Sequence, residues 1–185
     1  DLDLKFAREN GLTIKLIAHA FKDGNKIFGF VAPQFIDANN PFAAVRNEYN
    51  AVQVEGAFAE KQIFIGKGAG SYPTGSAVLS DVSALTYDYH YEYKKLQQEH
   101  GLEFSNDLVT EAYVSFDDTI SISTHEFEEF RSGYAANGKQ YMLGKVSLEK
   151  LSHWSKIDGI GIILAPGAIL DTQTYEQKKL ARSVA

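Results

Sequence analysis

The stretch Gln62-Ile63-Phe64-Ile65-Gly66-Lys67-Gly68-Ala69-Gly70-Ser71-Tyr72-Pro73-Thr74-Gly75-Ser76-Ala77-Val78-Leu79-Ser80-Asp81 decides how this chain is read. Its first four residues are strand-like, and Ser76 to about Leu85 carries a helical apolar stripe. Between them stand Gly66, Gly68 and Gly70, whose backbone can take positive φ and approach a neighbour closely. The helix that follows turns its free N–H groups and the positive end of its dipole back toward that loop. Such a corner suits an anion or the edge of a cofactor. It serves equally as a plain tight turn, and on these residues alone both readings stand.

Upstream, Asn50 to Gly56 alternates at period two, and its short link to Gln62–Ile65 predicts an antiparallel hairpin. Asn39-Asn40-Pro41 starts a short helix, with Asn40 as cap and Pro41 in the first helical position. Ile27 to Phe35 reads as a strand after the turn Asp23-Gly24-Asn25. Residues 3–22 read as a helix, because Leu4, Ala7, Ile14, Ile17, Ala18 and Phe21 recur at spacings of three, four and seven. Gly11 interrupts that stripe, so two short helices are an alternative. On a helix Gly11, Lys15 and His19 share a flank. Lys15 and His19 taken singly are an ordinary solvated lysine and an ordinary satisfied histidine.

Downstream, Thr86 to Tyr93 holds four tyrosines, and Lys94 to His100 is a polar linker. After about residue 108 the pattern becomes β-α-β-α-β: strands at Glu111–Phe116, Gln140–Val146 and Ile160–Leu164, helices at Glu126–Tyr134 and Leu148–Trp154. Ser147 caps the second of these helices. The expected class is therefore α+β: a mixed or antiparallel sheet with helices packed on one face, plus a small α+β C-terminal appendage. Residues 1–108 form the main domain, 109–170 the appendage and 171–185 a polar tail. The chain begins Asp1-Leu2-Asp3-Leu4 with no initiator Met, which reads as an internal piece of a longer protein.

Several function classes fall away. The net charge is −6 with no basic block, which disfavours nucleic acid as a partner. No apolar run has the length of a membrane span. There is no cysteine, hence no disulfide or thiolate site, in keeping with a cytoplasmic protein. The five histidines make no HxH or HxxxH pair, so no metal is expected. Gly70-Ser71-Tyr72 is no nucleophile elbow, and the corner lacks the GK[ST] ending of a phosphate-binding P-loop. It also lacks the third glycine and the distal acid of a Rossmann fingerprint.

Three segments in order then resemble the catalytic domain of homoserine dehydrogenase. They are Asp3 to Ile17; Asn40-Pro41-Phe42-Ala43-Ala44-Val45 with Tyr49-Asn50-Ala51-Val52, similar to HPLAxV…NAV; and the opening stretch, similar to GPGAGxxPTASAVxxD. The resemblance covers roughly residues 1–90. It implies reduction of L-aspartate 4-semialdehyde to L-homoserine with NAD or NADP, on the route to threonine, methionine and isoleucine. It also implies an upstream Rossmann domain, a homodimer, and a fragment inactive by itself. Lys15 is similar to the lysine that exchanges a proton with the substrate oxygen, on a helix. Gly66, Gly68, Ala69 and Gly70 are similar to the loop that closes on the nicotinamide. Glu9 and Asp3 are stand-ins for the substrate-binding carboxylates. The chain departs from the pattern at Gly11 (usually aspartate), Asn40 (histidine), Lys67 (proline) and Gly75 (alanine). The rival readings are a non-catalytic regulatory or scaffolding module and a related semialdehyde or amino-acid dehydrogenase.

Overall fold

Gly11, at φ +66°, ends the first helix and turns the chain into a strand. The computed structural model describes residues 2–56, 58, 60–87, 89 and 101–169. The helix α1 spans Leu2–Glu9, and β1 spans Leu12–Asp23. The expected helix over 3–22 is thus corrected to one short helix and one long strand, and Lys15 lies on the strand. From Lys15 to Asp23 burial alternates residue by residue, as a strand requires. Then β2 (Lys26–Asp37) returns antiparallel, pairing Leu12 with Asp37 and Asp23 with Lys26.

The remaining elements are a 3-10 turn at Pro41–Ala44, β3 (Tyr49–Gly56), β4 (Glu60–Lys67), α2 (Ser71–Thr86), β5 (Glu103–Phe104) and β6 (Val109–Asp117). They are followed by a 3-10 turn at Thr124–Glu126, β7 (Glu129–Ala136), β8 (Lys139–Ser147), α3 (Leu148–Trp154) and β9 (Ile160–Ile169). The helix expected at 126–134 is a strand. Phe127, Phe130 and Tyr134 have helical spacing, but the register of β7 on β8 shifts between Phe130 and Ser132. An irregularity in a strand spaces its side chains at three and four in the same way. The polar tail, the linker 94–100 and most of the tyrosine run lie outside the described residues.

The chain divides into two units. One holds the described residues up to Ala38 and from Gly101 onward, the other those of Asn39–His100. The expected division at residue 108 does not match this. The strand β2 pairs with β9, so the C-terminal strands complete the sheet that β1 and β2 begin. Its order is β1-β2-β9-β6-β8-β7, with β5 on β2. The pairs β2–β9 and β2–β5 are parallel and β1–β2, β6–β8, β6–β9 and β7–β8 antiparallel, so the sheet is mixed as expected.

Helices cover both faces of this sheet rather than one, because β6 sends alternate side chains each way. Ala112, Val114 and Phe116 pack with Leu151 and Trp154 of α3. Tyr113 packs with Ala7 of α1, Phe35 and Ile163. Fully buried Tyr113 is the hub of the α1 face, with its ring centroid 4.8 Å from Phe6 and 4.7 Å from Tyr141. Its hydroxyl donates to Asp3 Oδ1 at 3.1 Å, satisfying the one polar atom the phenol carries. Burial, followed by the Asp3 carboxylate, raises its pKa far above the usual phenol value.

Ser147 caps α3 as expected, its Oγ accepting from Lys150 N–H. No helix among the described residues is long and apolar enough to cross a membrane.

Candidate functional site

The glycine corner is built by the second unit. β3 and β4 form the expected hairpin, with Tyr49 opposite Lys67 and Asn50 opposite Gly66. Lys67 Nζ donates to Glu48 at 2.7 Å and lies 5.1 Å from the centre of the Tyr49 ring. This hydrogen bond lowers the Glu48 carboxyl pKa. The lysine at the usual proline position thus ties down the base of the corner.

Each glycine has its own reason. A Cβ on Gly68 would stand 2.5 Å from Asn50 Nδ2, so the loop lies against that amide, which a side chain at this position would displace. Gly70 has φ +115° and ψ 156°, a region side chains rarely enter. Gly66 has no atom within 4 Å of where a Cβ would be, so its backbone faces open space. Gly70 is the N-cap of α2, no side chain caps that end, and its carbonyl accepts from Thr74 N–H at 3.1 Å. The helix begins at Ser71, five residues before the expected Ser76, with Pro73 accommodated in its first turn. The Ser71 and Tyr72 amides are thereby left to face the loop side of the helix.

Asn50 belongs to the Tyr49-Asn50-Ala51-Val52 segment, which the sequence alone does not connect to the corner. The hairpin register that places it opposite Gly66 is the signal that finds it, since it puts the Asn-Ala-Val segment and the glycine corner side by side.

The other candidates lie in the first unit and are not brought together there. Lys15 is half-buried on β1, directly across from Gln34 on β2. Buried Gln34 accepts from His19 Nε2 at 2.9 Å and donates to the Ala165 carbonyl at 3.4 Å. This face of β1 and β2, with Phe30 and Ala32, is the one α3 covers. Asp3 lies on the α1 face, bonded to Tyr113, with the sheet between it and Lys15. Glu9 is exposed at the end of α1, 3.8 Å from Lys5. The resemblance that implies the proton-exchanging role sets Lys15 on a helix, whereas the structure sets it on β1, and Asp3 is bonded to Tyr113. Among the described residues no group of three or more His, Asp or Glu side chains is placed to hold a metal.

The homoserine dehydrogenase family model matches residues 1–83. Over 85 aligned residues the chain is 44% identical to the homoserine dehydrogenase of Bacillus subtilis. Over this stretch the chain is thus similar to homoserine dehydrogenases. That alignment covers 46% of this chain and 20% of the relative. The Corynebacterium glutamicum homoserine dehydrogenase is 41% identical over 85 residues, 43% of this chain and 19% of its own length. Among solved structures, a homoserine dehydrogenase from Thiobacillus denitrificans has a TM-score of 0.60 at 22% identity, covering 89% of this chain and 44% of that one. That likeness is one of fold. The S. aureus homoserine dehydrogenase at pH 7.0 has a TM-score of 0.52 at 27% identity, covering 87% and 44%. Coverage this wide takes in strands beyond residue 83, so homoserine dehydrogenases share the fold there too. The aligned part spans about a fifth of these curated relatives and less than half of the solved chains.

Proposed function

We propose that this chain supplies catalytic-domain structure to a cytoplasmic, homodimeric homoserine dehydrogenase, which reduces L-aspartate 4-semialdehyde to L-homoserine with NADH or NADPH. The observation that carries this reading is the glycine corner. A segment that resembles the family's glycine motif is also one whose backbone lies bare, at Gly66, and ends on a helix N-terminus with no side-chain cap, at Gly70.

These residues fit one edge of a nicotinamide. A bare backbone lets a flat ring approach, and the Ser71 and Tyr72 amides offer donors on the same side. They do not fit a pyrophosphate, because the Rossmann fingerprint is absent, so the corner supplies contact to one end of the cofactor only. Bound there, a nicotinamide supplies the hydride. The corner's part is to orient the ring and exclude water, so that the aldehyde carbon lies within reach. As the carbonyl oxygen gains charge it needs a proton donor, and Lys15, on a strand face covered by α3, is not assigned to that step.

The test is a chimera. The 85 aligned residues of the Bacillus subtilis enzyme are replaced by their counterparts from this chain, and reduction of the semialdehyde is followed at 340 nm. Turnover within about tenfold of the parent, roughly 1.4 kcal/mol in barrier, is expected. A folded chimera without turnover overturns the reading. In the same chimera Lys15→Ala should change kcat by less than about tenfold, whereas loss of a positioned proton donor costs about a hundredfold or more. The larger loss would return Lys15 to the proton path.

A further inference from the structure

The sheet of the first unit has a seam. β1 and β2 pair over twelve positions and β6 and β8 over nine, but β2 and β9 are joined at a single position, Gln34 opposite Leu164. The Gln34 side chain reinforces that joint through the Ala165 carbonyl. On the α3 face a groove runs along the seam, enclosing about 640 Å³, well within the range of small-molecule sites. Phe30 and Ala32 of β2 and Ile160, Ile162 and Leu164 of β9 line it. All but Leu164 are only partly covered by the protein. Along its α3 side stand Glu149, at the start of the helix, and His153 and Lys156, at its end, all three exposed, so a carboxylate would be held at the His153 and Lys156 end. Among the described residues neither the His153 nor the Lys156 side chain has an ion pair or hydrogen bond.

Two complementary gains are therefore left open on one groove. Incompletely covered apolar side chains favour an apolar body. An unpaired ammonium beside an imidazole favours an anion, and a carboxylate takes such donors in short, charge-assisted bonds. We infer that this groove is a binding site for a small organic carboxylate with an apolar body, and that the ligand bridges the β2–β9 seam. The carboxylate is held by Lys156 and His153 while the body lies on Phe30, Ile160 and Ile162. An occupant touches β2 on one side and β9 with α3 on the other, so it ties together two parts that the backbone joins at one position. This inference is independent of the reading of the glycine corner.

The experiment uses the 185-residue chain labelled with nitrogen-15 and titrated with 3-phenylpropionate, with uncharged 3-phenylpropionamide as the control. The expected result is binding with a Kd on the order of a millimolar, as suits a ligand of this size. Amide shifts should centre on Phe30, Ile162 and Lys156, and the amide should bind at least about tenfold more weakly, the loss expected for one charged contact. Lys156→Gln, a substitution at an exposed position, should bring the two affinities together. Amide exchange at Gln34 and Leu164 should slow on saturation. Absence of binding, equal affinity for acid and amide, a carboxylate preference that survives Lys156→Gln, or unchanged exchange at the seam would each overturn the proposal.

Discussion

The sheet of the first unit and the hairpin-and-helix of the second handle their apolar surface in opposite ways. In the first, Tyr113, Phe35, Val114, Val146 and Leu164 are almost wholly buried, with a helix on each face of the strands. In the second, α2 has no buried residue, and Val78, Leu79, Val82 and Leu85 are more than half exposed. Val52, Phe64 and Ile65 on β3 and β4 are exposed to the same degree. A lone two-stranded hairpin is marginal without a packed face. The difference shows which region derives its shape from tertiary packing and which from local backbone chemistry. The first unit is held by contacts distant in sequence. The second is held by a hairpin register, a few glycines and a helix start.

Three substitutions sharpen or break this contrast. Tyr113→Ala removes the hub of the α1 face and the partner of Asp3. It should cost about 3–5 kcal/mol, seen as a lower midpoint in urea unfolding followed by near-UV circular dichroism. A loss below about 1 kcal/mol would show that the α1 face is not a packed core. In the second unit Gly70→Ala forces a side chain into φ +115°, at a cost of about 1–3 kcal/mol. Since α2 lacks packing to offset it, the helix should fray locally, with faster amide exchange at Thr74 and Ser76 and unchanged exchange in β6. Uniform destabilisation of both units would break the contrast. Leu85→Lys, at a position 70% exposed, should change stability by no more than about 0.5 kcal/mol. A clearly larger loss would mean that α2 is covered in solution.

The same contrast decides what could be read from the amino acids. The hairpin, the glycine corner and the Ser147 cap were legible because each is settled within a few residues. Leu12 to Asp23 was misread for a physical reason. Its apolar residues satisfy the spacing of three and four and also, from Lys15 onward, the spacing of two. It is a strand with partly buried residues on both faces: Leu12 and Ile14 pack toward α1, while Ile17, His19 and Phe21 share the α3 face. The partner decides between the periods, and that partner, β2, is locked to β9 about 130 residues away through Gln34 and Leu164. Local pattern holds no trace of such a pairing, so the C-terminal strands read as an appendage. Of the candidate site, the corner was visible as glycine spacing. Asn50 is visible in the Asn-Ala-Val segment, but its place beside the corner comes only with the hairpin register, and Lys15 lies on a strand where a helix is expected.

Gln34 carries one more consequence, for the tautomer of His19. Its amide nitrogen is committed to the Ala165 carbonyl, so its oxygen is the atom turned to His19, and an oxygen only accepts. The imidazole must therefore keep its hydrogen on Nε2, which selects one of its two neutral tautomers. Nitrogen chemical shifts of the two ring atoms report directly which of them carries the hydrogen.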